Sequence, residues 1–255
     1  MGIISKRECY ILTDYTIMTN LEAIEYRNSR RLYLPMPIEA HMQACLRDFI
    51  NRFNKESDLS IQFVEDGSDA FNGLRKSYGL FSGVRSLLAM IGKKTDVNLK
   101  EKVGYFGELL VLEAVKLGLG SCWVGGSFDR NSNIVDLSEE EVLVCVIPIG
   151  MTEELSFKEK MIHQMVARKS KSIEQMLVSD VNSPVWLTEG LKAVQKAPSA
   201  VNHQPVTFEY KAGVLTAFVE DDGKFNLVDL GIAKSHFEIG AKGHFELGNY
   251  GKFIK

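Results

Sequence analysis

The stretch Val103–Gly120 limits what this chain can fold into more than any other. It is the most apolar helical pattern present, and it carries Gly104 and Gly107 one turn apart. Small residues at that spacing let another backbone approach closely, as in a tightly crossed helix pair. The stretch therefore reads as a central helix. It is expected to end at Gly118 or Gly120 and to run into Ser121–Asp129. There Gly125 and Gly126 leave backbone N–H groups exposed and let a planar ligand come near.

The remaining elements surround that helix. With 255 residues, 45% of them hydrophobic, the chain can bury one large core or two closely packed smaller ones. Thr19 or Asn20 caps a first amphipathic helix, and the aperiodic residues 1–17 before it read as a disordered extension. From Pro37 onward, Ile38, Met42, Cys45, Leu46, Phe49 and Phe53 recur at helical spacing. Leu59–Val64 alternates as a strand does, Ser86–Gly92 reads as a fully buried strand, and Val142–Gly150 as another. A sheet with helices around it follows.

Two segments are too polar for core packing. Arg27-Asn-Ser29-Arg30-Arg31 places three guanidinium groups and a hydroxyl in five residues, a set of donors that can grip a phosphate or that merely complements a helix end. Ala197-Pro198-Ser199-Ala200-Val201-Asn202-His203-Gln204-Pro205 is rigid and polar. It suits holding a ligand by its polar edge, or is an ordinary helix-to-strand loop whose Ser199 and Asn202 bond their own backbone. A basic run, Arg168-Lys-Ser-Lys171, reads by itself as a solvated linker.

Three motifs together resemble the nitroreductase family. The Ala197–Pro205 segment is similar to its flavin-contacting loop. Arg27-x-Ser29-x-Arg31 with Tyr33 resembles its flavin-phosphate motif, and Trp123-Val124-Gly125-Gly126 resembles the loop facing the reactive edge of the ring. In this chain Ser127 separates the second glycine from Phe128. Arg168 and Lys171 match the basic run that completes the family's phosphate pocket. The resemblance implies an α+β, nitroreductase-like fold with antiparallel-rich sheets flanked by helices.

The second half of the chain echoes the first. Arg168-Lys-Ser-Lys repeats Arg27-Asn-Ser-Arg, Trp186–Val194 repeats Ile38–Phe49, and Pro205–Phe208 repeats Ser60–Phe63. Asp229–Ala241 sets Gly231 and Ala241 at the interval of Gly104 and Ala114. The copies divide the motifs, the first (18–178) keeping the arginine cluster and the tryptophan loop, the second, truncated one (179–255) the Ala197–Pro205 loop. Nitroreductases are homodimers with flavin at the subunit interface, so the resemblance implies a pseudo-dimer in one chain: a monomer with one flavin.

The implied function is an FMN-dependent oxidoreductase. It takes hydride from NADH or NADPH onto flavin N5 and passes it, in a ping-pong cycle, to a nitroaromatic, a quinone or a similar small acceptor. The rival is a non-catalytic flavin-binding or sensing protein. FMN is favoured over FAD because a phosphate site at the arginine cluster needs no adenylate pocket. No side-chain acid or base is required, and His203 and His236 read as structural or solvated. The unmatched tract Asp66–Ser82 offers Phe71, Tyr78 and Phe81 to cover the ring. A net charge of −3 gives no attraction for nucleic acid or anionic membrane. The dispersed Cys9, Cys45, Cys122 and Cys145 imply no metal site and a reducing, cytoplasmic setting.

Overall fold

The computed structural model describes residues 18–71, 80–154 and 170–255. The expected extension 1–17, Tyr78 and Arg168 lie outside the described residues. Helix α1 (Asn20–Tyr26) begins at the expected cap, where Glu22 N donates to Thr19 Oγ1 at 3.2 Å and Thr19 N donates back to Glu22 Oε2 at 2.7 Å. Helix α2 (Ala40–Ser57) starts later than Pro37 because Glu39 is still extended and Gln43 Nε2 donates to the Ile38 carbonyl ahead of the first turn. Strand β1 (Gln62–Val64) is shorter than the alternating run. Asn54 of α2 bonds both the N–H and the carbonyl of Ile61 and so takes that residue out of the ladder.

Strand β2 (Ser86–Lys93), helix α3 (Leu99–Lys116), and strands β3 (Gly120–Ser121) and β4 (Glu141–Gly150) follow, and the sheet order is β1-β2-β4-β3, antiparallel throughout. An antiparallel strand usually alternates, yet β2 is buried from Ser86 to Gly92. Helices α2 and α3 cover Leu88 and Met90, while Tyr33, Phe71 and Phe128 cover Leu87, Ala89 and Ile91 on the other face. Helix α3 starts one turn before Val103 and stops at the expected glycine, Gly118 (φ 75°).

A second layer holds helix α4 (Ile173–Met176), strand β5 (Leu177–Ser179), helix α5 (Val185–Val194), strands β6 (Thr207–Lys211) and β7 (Val214–Phe218), helix α6 (Asn226–Ala241), and the short pair β8 (His244–Phe245) and β9 (Phe253–Ile254). Its sheet runs β5-β6-β7, with β5 parallel to β6 and a tight hairpin between β6 and β7 through Ala212 (φ 50°) and Gly213 (φ 79°). Phe208, Phe237, Leu187 and Leu191 centre a separate core that also takes in Met176. The order helix–strand–strand–helix occurs twice, as α2-β1-β2-α3 and as α5-β6-β7-α6. No described helix is long and apolar enough to cross a membrane.

The two layers meet where α3 crosses α6. A Cβ on Gly104 would lie 1.9 Å from the Val228 carbonyl oxygen and 3.1 Å from Ile232 N. A Cβ on Gly231 would lie 2.0 Å from the Glu101 oxygen and 2.7 Å from Tyr105 N. Each glycine thus meets the carbonyl three residues before the other and the amide just after it, the reciprocal contact of a two-fold axis. Beside the crossing, Lys234 of α6 uses all three ammonium protons, on Glu101 Oε1 (2.6 Å), the Glu246 carbonyl (3.0 Å) and the Gly248 carbonyl (2.9 Å). The buried ion pair is therefore fully satisfied and ties the C-terminal segment to both helices.

Alanine in place of an open helical glycine stabilises by about 1 kcal/mol, but here the added methyl meets backbone that cannot rotate away. Gly104→Ala and Gly231→Ala are each expected to destabilise the fold by about 1–3 kcal/mol, as overpacking does. Urea unfolding checks this, and a gain in stability would show that the helices can separate at no cost.

Candidate functional site

The segment after α1 runs extended, bridging Ser29 to Ser121 and Leu32 to Ser82. In an extended chain alternate residues face the same side. Arg27, Ser29 and Arg31 line one cleft, with Asn28 at its wall as well, while Arg30 turns away to Thr152 Oγ1 (2.7 Å) and the Glu153 carbonyl (2.6 Å).

Helix α3 holds the next component. Gly107 has no side chain because the Trp123 indole lies across it, within 2.4 Å of where a Cβ would stand. Trp123 Nε1 donates to Glu108 Oε2 at 2.8 Å. The fully buried Glu108 also faces His236 Nε2 at 2.9 Å and Arg27 Nε at 3.7 Å. One carboxylate therefore joins the arginine segment, the tryptophan loop and helix α6. Beyond Trp123, the Gly125 carbonyl accepts from Arg130 at 2.8 Å. The trans peptide then aims the Gly126 N–H the opposite way, at a glycine with open space around it. Gly125 is pressed against the Phe225 ring, which a Cβ would strike at 2.3 Å.

The loop from Ala197 to Pro205 closes the cleft from the second layer. Val201 (φ 45°), Asn202 (φ 55°) and Gln204 (φ 49°) are all left-handed. Such backbone costs on the order of 1–3 kcal/mol per residue and persists only when its surroundings over-determine it. Inside the loop Gln204 N donates to Ser199 Oγ at 2.9 Å, and Asn202 N to the Ser199 carbonyl at 3.0 Å. At one end Ala200 N donates to both oxygens of Asp229, each at 3.1 Å. At the other end Lys171 N donates to Gln204 Oε1 at 2.8 Å and Lys171 Nζ to the Gln204 carbonyl at 2.7 Å.

The cleft that results has a volume of about 670 Å³, in the range of small-molecule and cofactor sites. Of the residues picked out from sequence, it gathers Arg27, Ser29 and Arg31, Trp123, Val124, Gly125 and Gly126, and Pro198, Ser199, Ala200 and Asn202. It does not gather Lys171 and Gln204, which bond each other beside it. His203 is exposed outside the lining, and the buried His236 bridges Glu108 and the Ala193 carbonyl (3.0 Å). Phe81 lines the cleft, whereas Phe71 is buried against it at a ring distance of 5.4 Å. Among the described residues no group of His, Cys, Asp and Glu is placed to hold a metal ion.

Two buried carboxylates at the cleft escaped the sequence reading. Glu108 and Asp229 sit within strongly apolar helical stretches, where a charge is anomalous unless something buried needs it. That anomaly was the available signal. Burial pushes the Asp229 carboxyl up to about 7, Asp222 adding to the rise and the Ala200 N–H opposing it. Burial likewise raises the Cys122 thiol against the pull of Arg31 and Arg27, which disfavours the thiolate.

A model of the family described as "Putative TM nitroreductase" matches residues 19–241. Among solved structures, one described as a "putative nitroreductase" of Thermotoga maritima MSB8 is 20% identical, with 94% of each chain covered and a TM-score of 0.63. A nitroreductase family protein of Clostridium difficile 630 is 13% identical over 65% of this chain and 100% of its own, with a TM-score of 0.47. An "FMN-dependent Nitroreductase" of Clostridium difficile R20291 is 18% identical over 52% of this chain and 88% of its own, with a TM-score of 0.42. No curated protein sequence matches the chain.

Removing Glu108 leaves Trp123 and His236 without their common acceptor and Arg27 without its buried counter-charge. Glu108→Ala is expected to lose about 3–5 kcal/mol, the cost of breaking a buried charged network from one side. In a Trp186→Phe background its Trp123 emission is expected to shift to the red as the indole loosens. Glu108→Gln, which keeps one acceptor oxygen, is expected to be milder in both. Chemical unfolding and fluorescence check this together.

Proposed function

The chain belongs to the nitroreductase family whose model matches residues 19–241, and from that premise we propose that it is an FMN-dependent NAD(P)H oxidoreductase that reduces nitroaromatics, quinones or similar small acceptors. One observation carries this reading. Three segments far apart in sequence, 27–31, 123–126 and 198–202, line a single cleft.

The residues present fit the cofactor. Arg27 Nε is buried, has no hydrogen-bond partner among the described residues and stands 3.7 Å from Glu108, whose charge it offsets without a bond. In this reading Arg27, Ser29 and Arg31 hold the phosphate, with the charge-assisted bonds that guanidinium groups make to phosphate oxygens. Pro198, Ser199, Ala200 and Asn202 hold the ring from one side, and Trp123–Gly126 from the other. The bound flavin supplies the hydride-carrying chemistry. The protein's own part is positioning, a donor at the Gly126 N–H toward negative charge on the ring, and the exclusion of water by Phe225, Val228 and Ile232. Lys171 serves this arrangement by holding Gln204.

We read residues 18–178 and 179–255 as the two halves of an internal pseudo-dimer. The repeated helix–strand–strand–helix order and the reciprocal contact of Gly104 with Gly231 support this. Each half contributes ligand segments the other lacks, so one chain builds one site and has no need of a second copy. The expected state is a cytoplasmic monomer with one flavin.

The deciding experiment is the visible spectrum of the purified protein, with flavin counted per chain and NADH and NADPH added separately without oxygen. Bleaching by either supports the enzyme. Flavin that binds but is not bleached supports the sequestering or sensing protein, and a chain that binds no flavin overturns both. Arg27→Ala is expected to weaken FMN about tenfold to a hundredfold, the worth of a charged hydrogen bond, and to leave riboflavin affinity unchanged. Equal loss for both would remove the arginine from the phosphate site. Sedimentation over a hundredfold dilution, with flavin retained on the monomer, checks the quaternary state.

A further inference from the structure

Asp229 is only 4% exposed and lines the cleft, and among the described residues it has no cationic partner. An uncompensated carboxylate of that kind is costly and asks for an explanation. Among the described residues its carboxylate bonds Ala200 N, from which both oxygens accept at 3.1 Å. Ala200 stands at the head of the left-handed run Val201, Asn202 and Gln204, and Lys171 grips the other end at Gln204. These two tethers tie the loop to α6 at one end and to the segment before α4 at the other.

We propose that Asp229 is the positioning residue of the ligand loop: by holding the Ala200 N–H it keeps residues 198–202 in the strained conformation that lines the cleft. The proposal rests on the flavin reading only in naming the ligand so presented. Asp229 stands one helical turn after Phe225, whose ring packs on Gly125, and its own amide donates to the Phe225 carbonyl at 2.9 Å. The first turn of α6 thus touches both loops that face each other across the cleft and sets their separation.

The same contact makes the loop sensitive to pH. Burial is the larger cause raising the carboxyl to about 7, and Asp222 adds to it. From β4, Cys145 faces Asp229, its thiol pushed up to about 12 by burial, with Arg130 opposing and Asp229 adding. Arg27, Arg31, Lys196 and Cys122 stand elsewhere on the cleft wall. On α3, Glu101, Tyr105 and Glu108 are engaged by Lys234, Glu238 and His236 of α6. A folded value above the ordinary 3.8 means that Asp229's contribution to global stability is fully present below that value and is lost as pH rises through about 7. The loop responds in the opposite sense, because the ionised carboxylate is the stronger acceptor for Ala200. Rising pH therefore costs the fold stability while it tightens the loop.

Amide hydrogen exchange of the ligand-free protein, corrected for intrinsic rates, tests this between pH 6 and pH 8. Protection of the Ala200 amide is expected to rise about tenfold with pH in the native chain, as for a bond that gains charge assistance. It should stay flat in Asp229→Asn, which keeps a neutral acceptor, and be lost in Asp229→Ala. Ala200 protection unchanged in Asp229→Ala, or still rising with pH in Asp229→Asn, overturns the proposal. Should Asp229→Ala not fold, the near-isosteric Asn variant decides alone. FMN affinity is the second reading: about tenfold weaker in Asp229→Ala and independent of pH in Asp229→Asn across this window. Exchange that behaves as expected in a protein that binds no FMN counts against the flavin reading and leaves the loop's positioning in place.

Discussion

The contact between Gly104 and Gly231 is the constraint on which the rest depends. Two helix backbones approach so closely that neither glycine could carry a methyl group, and that approach brings the two layers into register. The same approach puts Glu108 within reach of His236 and Lys234 within reach of Glu101. Widening the crossing would separate all of these pairs together.

From that crossing the site is built largely by buried carboxylates. Glu108 is satisfied by groups from three separate segments, so its burial is paid for only when the arginine strand, the tryptophan loop and α6 are all in place. Asp229 fastens the strained 198–204 loop within the second layer. The charge of Glu108, a liability in either layer alone, becomes a joint between the two.

Much of this was legible before folding. The capping box at Thr19, the helices, the buried run Ser86–Gly92 and the end of α3 at Gly118 follow from local chemistry: caps, periodicity and a left-handed position that favours glycine. The cleft lining was legible too where a motif is one continuous stretch, as Arg27-x-Ser29-x-Arg31 is. Lys171 and Gln204 were legible as polar and nearby in function, but not as partners of each other, because 33 residues of chain separate a donor from its acceptor.

What the sequence by itself determined is therefore the set of elements, the turn chemistry and the candidate ligand segments, all of which rest on interactions between residues close along the chain. Only the tertiary structure decided that Gly104 meets Gly231, that a fully buried Glu108 joins Arg27, Trp123 and His236, and that Asp229 fastens the 198–204 loop. These contacts join residues far apart in the chain. A carboxylate inside an apolar helix signals that a partner is required, but its choice of partner is made by the crossing of helices, which no local pattern specifies.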